Sequence, residues 1–151
     1  MKRFNFRLER LLTLKKRAED ARQLALAKAR ANADLRRSAL IELDAQRQEL
    51  YTTERAHLSG ATLDVATLKH FSRRQLFIRR EELGGRATLA ALDKEVERKR
   101  EELIRATVER KALDTLKERR RETYVREELL SEQKETDEIA ANTRRVHIPQ
   151  F

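Results

Sequence analysis

The sequence predicts an all-α chain folded as a long antiparallel two-helix coiled-coil hairpin, and three observations carry that prediction. Pro149 is the only proline and glycine occurs only at Gly60, Gly84 and Gly85, so turn chemistry is nearly absent from Met1 to Ile148. Of the 151 residues, 40% are charged and 39% hydrophobic, much of the latter alanine, with no tryptophan. A thick globular core cannot be built from that composition. Finally, the charges are interleaved with Leu and Ala at helical spacing, which separates the chain from Pro-, Ser- and Gly-rich disordered segments.

The first helix is expected over about residues 5–57. Phe4, Leu8, Leu11, Leu14, Ala18, Ala21, Ala25, Ala29, Leu35, Ala39, Leu43 and Leu50 recur at steps of three or four, or sums of them, and form one apolar stripe. A turn follows over about 58–66. Gly60 suits the left-handed position that closes a helix, and Thr62 or Asp64 can accept backbone N–H bonds at the start of the next.

The second helix is expected over about 67–141. Leu68, Phe71, Ile78, Leu89, Leu92, Val96, Leu103, Ala106, Leu113 and Tyr124 sit on one unbroken alternation of three and four, the mark of a supercoiled seam. Gln75, Glu82, Lys99, Arg110, Lys117 and Arg120 interrupt it and predict modest stability. Residues 142–151 read as a flexible tail, and 1–151 as a single coiled-coil domain. With the turn centred near Thr62, residue i faces roughly 124 minus i, which sets Leu11 near Leu113, Ala21 near Leu103, Leu35 near Leu89 and Ala39 near Gly85. Two adjacent glycines cost a helix about 2 kcal/mol, so Gly84-Gly85 predicts a kink, a hinge or a tolerated soft spot.

Charge divides the chain. Met1–Arg37 holds twelve Lys or Arg against four Asp or Glu, and Arg86–Arg121 twelve against eight. Ser38–His57 counts two against four, and Glu122–Phe151 four against seven. A hairpin brings the two basic stretches together as a cationic base, and a localised positive field implies a partner surface. Tyr51, Phe71, Leu76 and Phe77, near the turn, are hard to place on a solvated helix and form a second candidate docking patch.

Catalysis finds no foothold. His57, His70 and His147 are scattered, and without cysteine there is no thiol nucleophile, disulfide or thiolate metal site. His57 and His70 flank the turn, but beyond Asp64 they lack a third ligand. No phosphate-binding Gly-rich loop occurs. The expectation is therefore no enzyme, no cofactor, no metal and no small-molecule substrate. The amino-terminal stretch lacks the apolar run of a signal peptide, and no segment approaches a membrane span, so a cytoplasmic protein is expected. Phe4, Phe6, Leu8, Leu11 and Leu12 could lie on a membrane surface, but an anchor clamping the hairpin base is the favoured role. Nucleic acid is disfavoured because the basic base lacks interleaved aromatics.

Phe4-Asn5-Phe6-Arg7-Leu8-Glu9-Arg10-Leu11-Leu12-Thr13-Leu14, Val108–Arg119 and Glu132-Gln133-Lys134-Glu135-Thr136-Asp137-Glu138-Ile139-Ala140 resemble the opening and the ending of the flagellar export FliJ family. The resemblance covers essentially the whole chain. It implies a component of flagellar type III export without activity of its own, similar to the central stalk of rotary ATP synthases. The implied partners are a hexameric flagellar export ATPase, whose ring assembly it promotes, the cytoplasmic part of the export-gate membrane protein, and export chaperones. The implied location is cytoplasmic, peripherally associated with the inner membrane at the flagellar base. Combined with the charge map, it nominates Arg10, Lys15, Lys16, Arg17, Lys117, Arg119, Arg120 and Arg121 for the ATPase, and Gln46, Leu50, Tyr51, Phe71 and Phe77 for the gate. The alternatives are a nucleic-acid- or ribosome-associated basic coiled coil, motivated by the net charge of +9, and the equivalent stalk of a virulence type III secretion system.

Overall fold

A computed structural model of the chain describes residues 4–60 and 64–146. Helix α1 runs Glu9–Leu58 and helix α2 runs Val65–Val146, 50 and 82 residues long, with no strand among the described residues. The two helices pack against each other in antiparallel fashion: Lys15 bonds Glu109, Arg22 bonds Glu102, Arg37 bonds Asp93, Arg47 bonds Glu82 and Gln75 bonds Glu54. Lys15–Glu109 and Arg22–Glu102 fall on the register expected from the sequence. The fold class is therefore the all-α helical hairpin that the periodicity predicted.

The ends of the helices follow from local hydrogen bonding. Before α1, the Glu9 N–H donates to the Phe6 carbonyl at 3.0 Å and Leu12 N–H to Leu8 at 2.9 Å. At its other end Ser59 N–H donates to Arg55 at 3.1 Å and Gly60 N–H to His57 at 3.2 Å, the tightened last turn that satisfies orphan carbonyls. No described glycine has positive φ. The left-handed role expected of Gly60 is thus incorrect, because a three-residue bond closes α1 without it. Asp64 caps α2: Oδ1 accepts Ala66 N–H at 3.1 Å and Oδ2 accepts the Thr67 hydroxyl at 3.3 Å. Thr62, the other cap expected, lies outside the described residues. The expected tail is helical as far as Val146, and its remainder lies outside the described residues.

The packing divides into two compact units, one comprising residues up to Glu19 and from Ala106 onward, the other Asp20–Arg105. In α2 every residue on the predicted alternation, apolar and polar alike, is buried or half-buried except Arg120, which is exposed. In α1 the expected stripe is displaced. Leu11, Leu14, Ala18, Ala21, Leu35 and Ala39 are exposed, Leu14 by 62% and Leu35 by 71%. The inward series is instead Leu8, Leu12, Lys15, Glu19, Arg22, Leu26, Ala29, Ala33, Arg36, Leu40, Leu43, Arg47, Leu50 and Glu54, a strict alternation of four and three. All but Arg22 are buried or half-buried.

The physical reason is that charged residues occupy the seam on both helices and meet each other. Arg47 reaches Glu82, whose side chain is only 11% exposed. Arg110 bonds Glu19, which also accepts the Thr107 hydroxyl at 2.7 Å. Long Lys, Arg and Glu side chains cover the seam with their methylene stems while their charged ends pair. Apolarity alone therefore selected the wrong phase in α1.

Gly84 and Gly85 do not interrupt the helix; α2 passes through both. Gly85 is buried, and a Cβ there would stand 2.7 Å from Leu40 Cδ2, whereas one on Gly84 would meet nothing within 4 Å. The first glycine of the pair is exposed and the second is a close-approach site.

Candidate interaction surfaces

In the unit that holds the amino-terminal turns, apolar contacts fix the end of α1. Phe6 and Leu12 are buried, and the Phe4 ring lies 5.6 Å from that of Tyr124. These side chains are committed to packing, as the anchor reading expected.

The cations nominated there separate into two groups. Lys15 bonds Glu109 at 2.6 Å, Lys117 bonds Glu9 at 2.8 Å, and Lys16 lies 3.8 Å from Asp114. Those three tie α1 to α2. Arg10, Arg17, Arg119, Arg120 and Arg121 are exposed and hold no ion pair among the described residues. Arg10 and Arg17 are seven residues apart and share one face of α1 with exposed Leu14. Arg119, Arg120 and Arg121 are consecutive, about 100° apart around the helix, so they spread charge around α2 rather than forming one flat patch.

Hydrogen bonds from Thr107 and Arg110 hold the Glu19 carboxyl below the usual carboxylate range. Lys15 does the same for Glu109, and Lys99, with Arg22 beside it, for Glu102. The pairs across the seam are therefore stabilised in their ionised form.

In the other unit, Gln46, Leu50, Tyr51, Phe71 and Phe77 fare differently. Phe71 is 6% exposed, with the His57 and His70 rings at 5.4 and 6.1 Å, so it belongs to the seam and offers no docking surface. Leu50 is half-buried. Gln46 is half-buried and accepts a hydrogen bond from Arg74 at 3.3 Å. Tyr51 and Phe77 are exposed, and the Arg74 guanidinium lies 5.6 Å from the centre of the Phe77 ring. Tyr51 and Leu76 line a shallow groove of about 230 Å³ with Arg47, Ser72, Gln75, Arg79 and Glu82. The sequence nominated the aromatics and passed over the groove's polar lining, because Arg47, Gln75 and Glu82 become neighbours only when the helices pair.

Among the described residues no group of three or more His, Cys, Asp or Glu is placed to hold a metal ion. Among them, too, no helix is long and apolar enough to cross a membrane.

Comparison with known proteins agrees with this architecture. The chain solved as a YscO homolog, CT670, from Chlamydia trachomatis is similar over 96% of this chain and 98% of its own, with a TM-score of 0.65 and 23% identity. At that identity the likeness is one of fold. No curated protein matches the sequence at a significant level. The profile of the family described as Flagellar FliJ protein matches residues 4–146. With paired helices along both units and a family match over nearly their whole length, the chain belongs to the flagellar FliJ protein family, a component of type III flagellar export.

Proposed function

We propose that the chain is a central-stalk-like coiled coil, without catalytic activity of its own, that binds the hexameric export ATPase and promotes assembly of its ring. In this reading it also contacts the cytoplasmic part of the export-gate membrane protein through exposed Tyr51 and Phe77, with Gln46 and Leu50 beside them. It handles export chaperones, and it works in the cytoplasm at the inner membrane of the flagellar base.

The observation that carries the reading is the division of cations within one unit. Lys15, Lys16 and Lys117 hold the helices together, while Arg10, Arg17, Arg119, Arg120 and Arg121 are left for an acidic surface on another protein. Subunits that bind a common partner gain assembly free energy from it, so both hexamer fraction and ATP turnover should rise with added protein when subunit concentration limits the ring. Reversing Arg119, Arg120 and Arg121 to Glu should weaken ATPase binding by about tenfold or more, since like charges then face each other. Helicity should persist because all three are exposed. Unchanged affinity would remove these arginines from the contact. No effect of saturating wild-type protein on oligomerisation or turnover would end the ATPase role.

A further inference from the structure

The first turns of α2 carry a cationic surface that helix pairing does not account for and that meets the proposed gate contact only at Phe77. From Val65 to Arg80 there is no acidic residue, while Lys69, Arg73, Arg74, Arg79 and Arg80 supply five cations. None of the five holds an ion pair among the described residues. Lys69, Arg73, Leu76, Arg80 and Leu83 follow one another at steps of four, three, four and three, and all are exposed. Each lies two residues from a seam position, Phe71, Gln75, Ile78, Glu82 or Gly85, and so about 200° around the helix from it. The stripe is therefore centred on the side of α2 away from α1, with Leu76 toward its edge, where it also lines the groove beside Tyr51. Leu76, Phe77 and Leu83 are 51%, 52% and 64% exposed. Of the two acids that follow, Glu82 is turned into the seam against Arg47, and Glu81 lies off the stripe.

The geometry points to an anionic phospholipid surface as the ligand of this face, with Lys69, Arg73 and Arg80 reaching lipid phosphates and Leu76, Phe77 and Leu83 entering the headgroup–acyl boundary. Apolar and cationic side chains share one outward helical face, the arrangement of interfacial helices, in which Lys and Arg stems lie on apolar surface and their heads meet anionic lipid. The charge is complementary to such a membrane, and none of these cations is ion-paired among the described residues. A nucleic-acid platform fits less well, because bases stack on open rings and Arg74 lies over Phe77. An acidic peptide would match the cations but leave the three large apolar side chains without a role.

Co-sedimentation of the full chain with vesicles tests this contact. The protein should bind vesicles of phosphatidylglycerol mixed with phosphatidylcholine, bind phosphatidylcholine alone only weakly, and lose binding as salt rises. R73E/R80E should lower the partition coefficient by about tenfold or more, and L76S/F77S should lower it as well. K28E/R30E, which reverses two exposed cations of the same unit off this face, should not. Circular dichroism should be unchanged throughout, since no substituted residue lies in the seam. Equal binding to both vesicle types, full binding by R73E/R80E, or preference for polyglutamate or RNA over the vesicles would overturn the proposal. The vesicles contain no ATPase and the ATPase assay contains no lipid, so the failure of either reading leaves the other standing.

Discussion

Gly84 and Gly85 are adjacent in one helix and differ chiefly in what a methyl group would meet. Replacing either by alanine removes the same helix penalty, about 1 kcal/mol. At Gly84 nothing lies within 4 Å of the new Cβ, so Gly84→Ala should stabilise the protein by about that amount. At Gly85 the Cβ would stand 2.7 Å from Leu40 Cδ2 and 3.4 Å from its Cγ. Leu40 must then turn or the helices must part, and overpacking of that kind costs about 1–3 kcal/mol. Gly85→Ala should therefore fall about 1–3 kcal/mol below Gly84→Ala, which places it between neutral and about 2 kcal/mol destabilising. Urea denaturation followed by circular dichroism, with equal m-values, reads the difference directly. Adding Leu40→Ala should abolish the penalty at position 85 and leave position 84 untouched, a coupling that a double-mutant cycle isolates. If Gly85→Ala gains as much as Gly84→Ala, the close approach of Leu40 to Gly85 is wrong.

The phase of the α1 seam has its own test: Leu12→Ala should cost about 2–5 kcal/mol, while Leu14→Ala, at an exposed position, should stay within about 0.5 kcal/mol. Equal costs by denaturation would restore the displaced stripe. Glu82→Ala removes Arg47's partner across the seam, leaving it Asp44 on its own helix, and should destabilise by about 1 kcal/mol or more, whereas Arg47→Leu with Glu82→Leu should recover most of that loss; a double variant no better than Glu82→Ala would show that the pair is not coupled. The carboxyls of Glu19, Glu102 and Glu109 are depressed in the folded state, so their contribution to stability is present above the ordinary glutamate pKa and is lost as pH falls through their lowered folded values. Melting temperature should accordingly hold near neutrality and drop in acid, and Glu19→Gln should flatten that acid limb; an identical limb would deny Glu19 its part.

The two surfaces differ in how much of them the residues alone revealed. Arg10, Arg17 and Arg119–Arg121, which hold no ion pair among the described residues, stand out as charge in a linear reading, but Lys15, Lys16 and Lys117 look the same there. Only their distances to Glu109, Asp114 and Glu9 assign them to helix pairing. Phe71 likewise satisfied two roles on paper, seam residue and docking aromatic, and burial leaves it the first.

Helix type, antiparallel pairing and the α2 seam were all determined by the amino-acid sequence, because the lack of Pro and Gly and the repeat of three and four are properties of neighbouring residues. The phase of α1 and the division of its cations were decided by tertiary structure. Lys, Arg and Glu suit a solvated face and a seam equally well, and what places Arg47, Glu19 and Lys15 inward is an opposite charge more than thirty residues away, on a helix that reaches them only when the chain folds back.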